Sequence, residues 1–356
     1  MRILTKLGGA LLLLSATVPI YADDCGVAGT IVGNVEKRVG DQVKKEKVDL
    51  KARFFNDGSI AVRAGLAVNP DGGAGSYTVG DHGFTYIANG LSILRNGKAD
   101  GCDLKCSKEF AKAEVKGFQA GTAEFCVYAM EAEPLKAGRD LISCGPGRII
   151  VGNGKGRLKL GGMLETVTGQ QVQSYVSTTS RKHLVNGTEQ HLDSESLPIA
   201  VTPRVDLLGK VVWVGGAGLT STFALIGDKG PAFGEGSIAL HQLLRTGAIA
   251  EQKTGPIAKK DRCGPGELSL RPPFQSRPDL VDDRCQPGYT AKSQSDIRAY
   301  TGIVNKLDFV ILGQANFPTI GRVIQEEVSV TSIKDKADKS GYTKDKIDKM
   351  LACLGN

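Results

Sequence analysis

Two carboxylates, Asp228 and Glu235, flank a glycine-rich loop in the stretch TFALIGDKGPAFGEGSIALHQLL, residues 222–244. An apolar alternating run ends in a Gly227-Asp228 turn, and Glu235 stands at the head of a helical pattern. Glycines at 227, 230, 234 and 236 free the backbone for unusual angles and let a ligand approach closely. Carboxyl groups that face each other across a small gap are what acid/base cleavage of a glycosidic bond requires. The plainer reading of the same residues is a solvated turn and a helix-capping glutamate. In the chemical reading, the positive end of the helix dipole favours an ionised Glu235, which makes it the base. Asp228 is then the acid, and it needs apolar surroundings to keep its proton.

Other residues are candidates for holding a sugar. Asp71 lies in Pro-Asp-Gly-Gly and Asp81 in Gly-Asp-His-Gly, as positioning groups or as ordinary polar turns. Tyr175, Ser177, Thr178 and Thr179 offer hydroxyls from one strand, against the alternative of a threonine-rich strand face. Trp213, the single tryptophan, sits in Val-Val-Trp-Val and reads as core, because large rings dominate core burial. The histidines at 82, 183, 191 and 241 lack metal-ligand spacing, and 183 and 191 read as surface residues. Cys102 and Cys106 have no second close pair to complete a zinc site, so neither a metal nor a cofactor is expected. Lys253-Thr254-Gly255 matches one transpeptidase element, but no serine has a lysine three residues later. Gly152-Asn-Gly-Lys-Gly156 lacks P-loop spacing and reads as a hairpin turn.

The elements that must position these residues are mostly strands. Short runs of Val, Ile, Tyr and Thr separated by glycine-rich turns fill residues 23–255 and predict a barrel or sandwich. Gly215–Gly218 marks the tip of a hairpin, and Asn56-Asp57-Gly58 marks another turn. Within 23–255, helical pattern is confined to 107–115 and to 237–245, the latter with Gly247 near its end. A cysteine-bearing insert spans about 97–146. Six prolines between 256 and 290 make an extended connection. Residues 291–356 read as a mixed or helical C-terminal region, with 296–312 mixed to helical and a charged stretch from 334 to 349. Its default role is a solvated cap, the alternatives being surface targeting or docking of a protein partner.

Residues 1–22 have the charged start, apolar middle and small-residue end of a signal peptide, which predicts a secreted or periplasmic product. No later run is apolar for long enough to span a bilayer. Removing Arg2 and Lys6 leaves 43 basic against 38 acidic residues, a net +5. The basic residues are scattered without interleaved aromatics, so nucleic acid is not an expected partner. All eight cysteines follow residue 22 and predict disulfides. Sequence proximity favours Cys126–Cys144 and Cys263–Cys285, while Cys353 is a candidate anchor for the chain's end.

Several segments together resemble family 75 glycoside hydrolases, the chitosanase-like enzymes. GDKGPAFGEGSIAL (227–240) is similar to that family's Gly-Asp…Gly-Glu-Gly/Ala-Ser-Ile signature. VNPDGGAGSYTVGDHGFTYIANG (68–90), SYVSTTS (174–180) and SESLPIAVTP (194–203) resemble its other elements, in the same order. The resemblance implies a barrel akin to the double-psi type. It also implies inverting hydrolysis of β-1,4-linked amino-sugar polymers such as chitosan, with the acid and base falling on Asp228 and Glu235. The 97–146 insert and the chain beyond 255 have no counterpart in it, and a positive net charge suits a chitosan substrate poorly. Two other readings stand beside this one: a non-catalytic envelope-binding protein on the same scaffold, and a hydrolase of peptidoglycan or another bacterial glycan.

Overall fold

Apolar runs of Val, Ile, Leu and Phe supply five strands, and a Glu-Gly pair a sixth, that close into a barrel: β1 (Ile60–Val68), β2 (Ile199–Thr202), β3 (Lys210–Gly215), β4 (Thr222–Lys229), β5 (Glu235–Gly236) and β6 (Ile303–Asn316). The computed structural model describes residues 25–39, 42–165, 169–251 and 303–355, and the fold is mainly β, as the sequence predicts. Around the barrel the order is β1-β5-β2-β4-β3-β6, with β6 pairing back onto β1. The β1–β5 and β2–β4 pairs are parallel and the others antiparallel, so this is no simple up-and-down barrel. Val62, Leu66, Val212, Ile226 and Phe309 fill the interior, and Phe233 meets Phe309 edge-on at 5.0 Å. A long hairpin, Val27–Val39 with Gln42–Phe54, extends the sheet from β1 through pairs at Ala52–Phe54.

Among the described residues there are four α-helices: α1 (Leu104–Val115), α2 (Ile238–Thr246), α3 (Val330–Lys339) and α4 (Lys344–Ala352). The start of α2 follows its sequence signals closely. The Ser237 hydroxyl accepts from the Leu240 N–H, and Gly247 closes the other end at φ 76°. Between β3 and β4 the glycine-rich tip makes the expected hairpin.

Residues 296–312 are expected to be mixed to helical, and this is corrected from residue 303 onward, where the chain forms β6. Both faces of this strand are covered. Leu307, Phe309 and Ile311 point into the barrel, while Val310 and Leu312 face a second core shared with α3 and α4. Burial on both sides removes the alternation by which a strand is read. The chain on either side of 252–302 therefore builds one barrel.

The C-terminal helices are fastened at the Asn56-Asp57-Gly58 turn. Asp57 accepts from the Tyr342 hydroxyl at 3.1 Å, pairs with Lys346 Nζ at 2.9 Å, and caps the Ser59 N–H at 2.9 Å. A Cys25–Cys353 disulfide ties the other end of α4 to the start of the hairpin. Cys126–Cys144 forms as sequence proximity favours, and Cys102 bonds Cys106. The expected leader at 1–22, the proline-rich connection and the Cys263–Cys285 pair lie outside the described residues. Among the described residues, no helix is long and apolar enough to cross a membrane.

The cysteine-bearing insert builds a wall beside the barrel mouth. Its five-stranded sheet runs Lys98–Gly101, Leu91–Arg95, Glu124–Val127, Arg148–Val151, Ser143–Gly145. That sheet and α1 bury Tyr77, Phe110, Phe118 and Phe125 in a core of their own. The Gly152–Gly156 segment is a turn, closed by the Gly152 N–H on the Gly156 carbonyl at 2.9 Å.

Candidate active site

Between the barrel mouth and the insert's sheet lies an open cleft of about 1390 Å³. Asp71, Asp228 and Glu235 all line it, as do Thr178 and Thr179.

Strand register sets the two main carboxylate residues on either side of one position of β2. Asp228 on β4 pairs with Val201 on β2, after an irregularity that skips Gly227. On the other side of β2, Ala200 pairs with Gly236 of β5 in antiparallel sense. Extending that pairing by one residue brings Glu235 opposite Val201 as well. Asp228 and Glu235 thus flank one residue from its two sides, with backbones about 10 Å apart across two strand spacings. The Glu235 carboxylate and the Val201 side chain both lie against the α-carbon of Gly230: a β-carbon there would stand 3.7 Å from Glu235 Oε2 and 2.7 Å from Val201 Cγ1. The bulge at Gly227 re-aims Asp228 toward the mouth. A β-carbon at Gly227 would stand 2.5 Å from Leu192 Cδ1 and 3.0 Å from Ile199 Cγ2, so both side chains would have to shift. Gly234, at φ 106°, lets β5 approach the Gly65 carbonyl of β1.

Asp228 is buried, and its two oxygens are unequal. Oδ1 accepts from the Ser180 N–H at 2.8 Å, the Ser180 hydroxyl at 2.6 Å and the Lys229 N–H at 2.8 Å. Oδ2 accepts only from Asn69 Nδ2, at 3.3 Å. Burial raises the Asp228 carboxyl above the ordinary aspartate value, although these hydrogen bonds pull the other way.

Asp71 stands beside it on the Pro70-Asp71-Gly72-Gly73 turn. Its N–H donates to Asn69 Oδ1 at 2.9 Å, and the Tyr77 hydroxyl donates to its Oδ1 at 2.8 Å. Burial pushes its carboxyl well above the usual range, and the charges of Asp228 and Glu235 add to the push. Asp71 is therefore both a turn residue and a member of the carboxylate group. Among the described residues, no Lys or Arg is within ion-pair distance of Asp71 or Asp228, and no His/Cys/Asp/Glu group is disposed to hold a metal ion.

The remaining sequence candidates divide. Thr178 is half-buried on the cleft wall. Thr179 is spent on structure: its hydroxyl donates to the Arg181 carbonyl at 2.6 Å and accepts the Leu192 N–H at 3.0 Å. Tyr175 does not line the cleft. It is buried in the insert's core, and its hydroxyl donates to Glu114 Oε1 of α1 at 2.7 Å. Asp81 also lies away from the cleft, at φ 62°, where its carboxylate accepts the Ile87 N–H at 3.0 Å. Trp213 packs against the second core, as expected of it.

His183 and His191 are not the surface residues that their Asn-Gly hairpin suggests. His183 is buried and accepts the Val328 N–H at 3.0 Å, which docks the segment before α3. His191 lines the cleft. The Thr179 N–H donates to its Nδ1, which leaves Nε2–H to donate to Glu131 Oε1 at 3.1 Å.

Sequence reasoning misses Asn69, Tyr77 and Ser180, which hold the carboxylates. A signal for them exists: all three lie inside the two segments, 68–90 and 174–180, that carry the family resemblance. Arg181 and Arg322 are also missed, and the second has no local signal, since it arrives from the far end of the chain. No family model matches this chain, and no curated protein matches it.

Proposed function

We propose that the protein is an exported glycoside hydrolase that cleaves amino-sugar polymers by inversion, with Asp228 as acid and Glu235 as base. One observation carries this reading: Asp228 and Glu235 flank Val201 from the two neighbouring strands and line the same open cleft. An inverting pair holds its carboxyls about 6.5–9.5 Å apart, with a water beside the base. Side chains rising from backbones about 10 Å apart, on one face of the sheet, are compatible with that separation.

The hydrogen-bond pattern supports the assignment of roles. Three donors occupy Asp228 Oδ1, so its proton resides on Oδ2, the oxygen left to face a leaving group. Burial keeps that proton on Asp228 at higher pH than an exposed aspartate would. Glu235, on β5 just before the Ser237 cap of α2, is then the carboxylate left to act as base. It takes a proton from water as the water oxygen bonds to the anomeric carbon. Asp228 gives its proton to the departing glycosidic oxygen as the bond between that oxygen and the carbon breaks. Asp71, held by Tyr77, keeps a third carboxyl beside the pair, and the charges of Asp228 and Glu235 help hold it in its protonated form. The three disulfides suit an oxidising compartment, which supports export.

Reducing-end release from chitosan, chitin oligomers and peptidoglycan tests the reading. Glu235→Gln and Asp228→Asn, with unchanged circular dichroism, are expected to lower turnover by about a thousandfold. Full activity in either folded variant, or no turnover by the native protein on any of the three polymers, would overturn it.

A further inference from the structure

Beyond the carboxylates, the cleft has a second feature that hydrolysis does not use: a set of cations with no acidic partner among the described residues. Arg181, Lys229 and Arg322 line the side next to Asp228, and Arg148 lines the opposite wall. Among the described residues, none of these four has a carboxylate within ion-pair distance, whereas Lys182, also on the wall, is 3.8 Å from Glu131.

The two arginines are built in rather than loosely solvated. Arg322 Nε and Nη2 donate to the carbonyls of Ser180 and Thr179, each at 3.0 Å. Arg181 Nη1 donates to the Gly321 carbonyl at 2.8 Å. Each therefore holds the backbone beside the other, and the two positive charges are kept close. Burial lowers the Arg181 guanidinium below its ordinary value, and the Arg322 charge lowers it further. Forcing two like charges together costs free energy unless an anion joins them. Ser180 links this pair to the reaction centre, because its hydroxyl bonds Asp228 while its carbonyl bonds Arg322. On the far wall, the Arg148 guanidinium sits 5.3 Å over the Tyr128 ring, which fixes its position without neutralising it.

We propose that the cleft takes an anionic, carboxylate-bearing amino-sugar glycan, whose acidic groups lie against Arg181, Arg322 and Lys229 on one side of the scissile bond and Arg148 on the other. This names the substrate class of the hydrolase proposed above and rests on that reading for the position of the bond. A polycationic glycan would meet these same charges as repulsion.

Three ligands on a shared β-1,4 amino-sugar backbone test the inference: soluble peptidoglycan strands with acidic stem peptides, neutral chitin oligomers and cationic chitosan. Affinities for the full chain carrying Glu235→Gln are measured by titration calorimetry at low and high salt. Peptidoglycan strands are expected to bind about tenfold or more tighter than chitin oligomers, with the difference shrinking as salt rises. Lys229→Ala with Arg148→Ala, two exposed side chains whose loss leaves the backbone contacts intact, is expected to reduce that preference severalfold, with Arg181 and Arg322 carrying the remainder. Equal or tighter binding of chitin oligomers or chitosan, a preference unmoved by the double substitution, or equal binding of the free stem peptide would overturn the inference. Preferential binding of anionic strands by a native protein that cleaves none of the three polymers would sink the hydrolase and leave this inference standing. Cleavage of neutral chitin oligomers without a charge preference would do the reverse.

Discussion

Asp57 and Asp71 lie at opposite ends of β1 and meet opposite surroundings. Asp57 receives a lysine, a tyrosine hydroxyl and a backbone N–H from the turn and from the C-terminal helices. Burial alone would raise its carboxyl, but the hydrogen bonds from Lys346 and Ser59 outweigh it and bring the value down to about 2. Asp71 receives one tyrosine hydroxyl and two neighbouring carboxylates, and its carboxyl goes well up. The first arrangement uses charge to hold two parts of the fold together. The second accepts an electrostatic cost in the native state, and acidic groups held at such a cost are what proton transfer in a cleft uses.

The clamp side has the largest expected stability effect. Replacing Cys25 and Cys353 with serine removes a cross-link that closes nearly the whole chain, at a cost of roughly 4–5 kcal/mol in denaturant unfolding. Cleft activity in the folded fraction is expected to stay unchanged, since neither cysteine is near the carboxylates.

Asp57→Asn is expected to cost about 1–2 kcal/mol at neutral pH after allowance for solvent screening. Its folded carboxyl titrates below its unfolded value of about 3.8, so its stabilisation is complete above pH ~4 and is lost as pH falls toward 2. Wild type and Asp57→Asn should therefore converge in stability at acid pH. Persistence of the full difference at pH 2 would break the comparison.

Asp71→Asn is expected to do the opposite, raising stability at pH 7 by on the order of 1 kcal/mol. A carboxyl raised in the folded state holds its proton where the unfolded chain has released it. The native state is thus penalised increasingly as pH rises above about 4, and the gain from Asn should vanish below that pH. A destabilised Asp71→Asn at pH 7, with the Tyr77 bond retained, would mean that Asp71 is a structural residue like Asp57.

The legible parts of this molecule are the local ones. Ser237 and Gly247 bound α2 in the sequence as they do in space, because a cap acts within one turn. The Gly-Asp…Gly-Glu-Gly-Ser pattern could be read because the bulge, the loop and the helix start are consecutive. Asp71 was legible as a candidate, yet its membership of the carboxylate group depends on β1 and β4 meeting the same cleft. Tyr175 and Asp81 failed for a related reason: hydroxyl and carboxylate groups near a motif look alike whether they face a cleft or, as here, α1 and the Ile87 N–H. Strand β6 was hidden by its two buried faces, and with it the arrival of Arg322 beside Ser180, 142 residues earlier.

The most direct test of the account is the anomeric configuration of the first product, followed by proton NMR during cleavage of a β-1,4 amino-sugar oligomer. The proposed acid and base acting through one water predict inversion, with the α-anomer appearing first and mutarotating afterwards. Initial release of the β-anomer would mean retention, and would contradict the assignment of Asp228 and Glu235 as acid and base acting through one water.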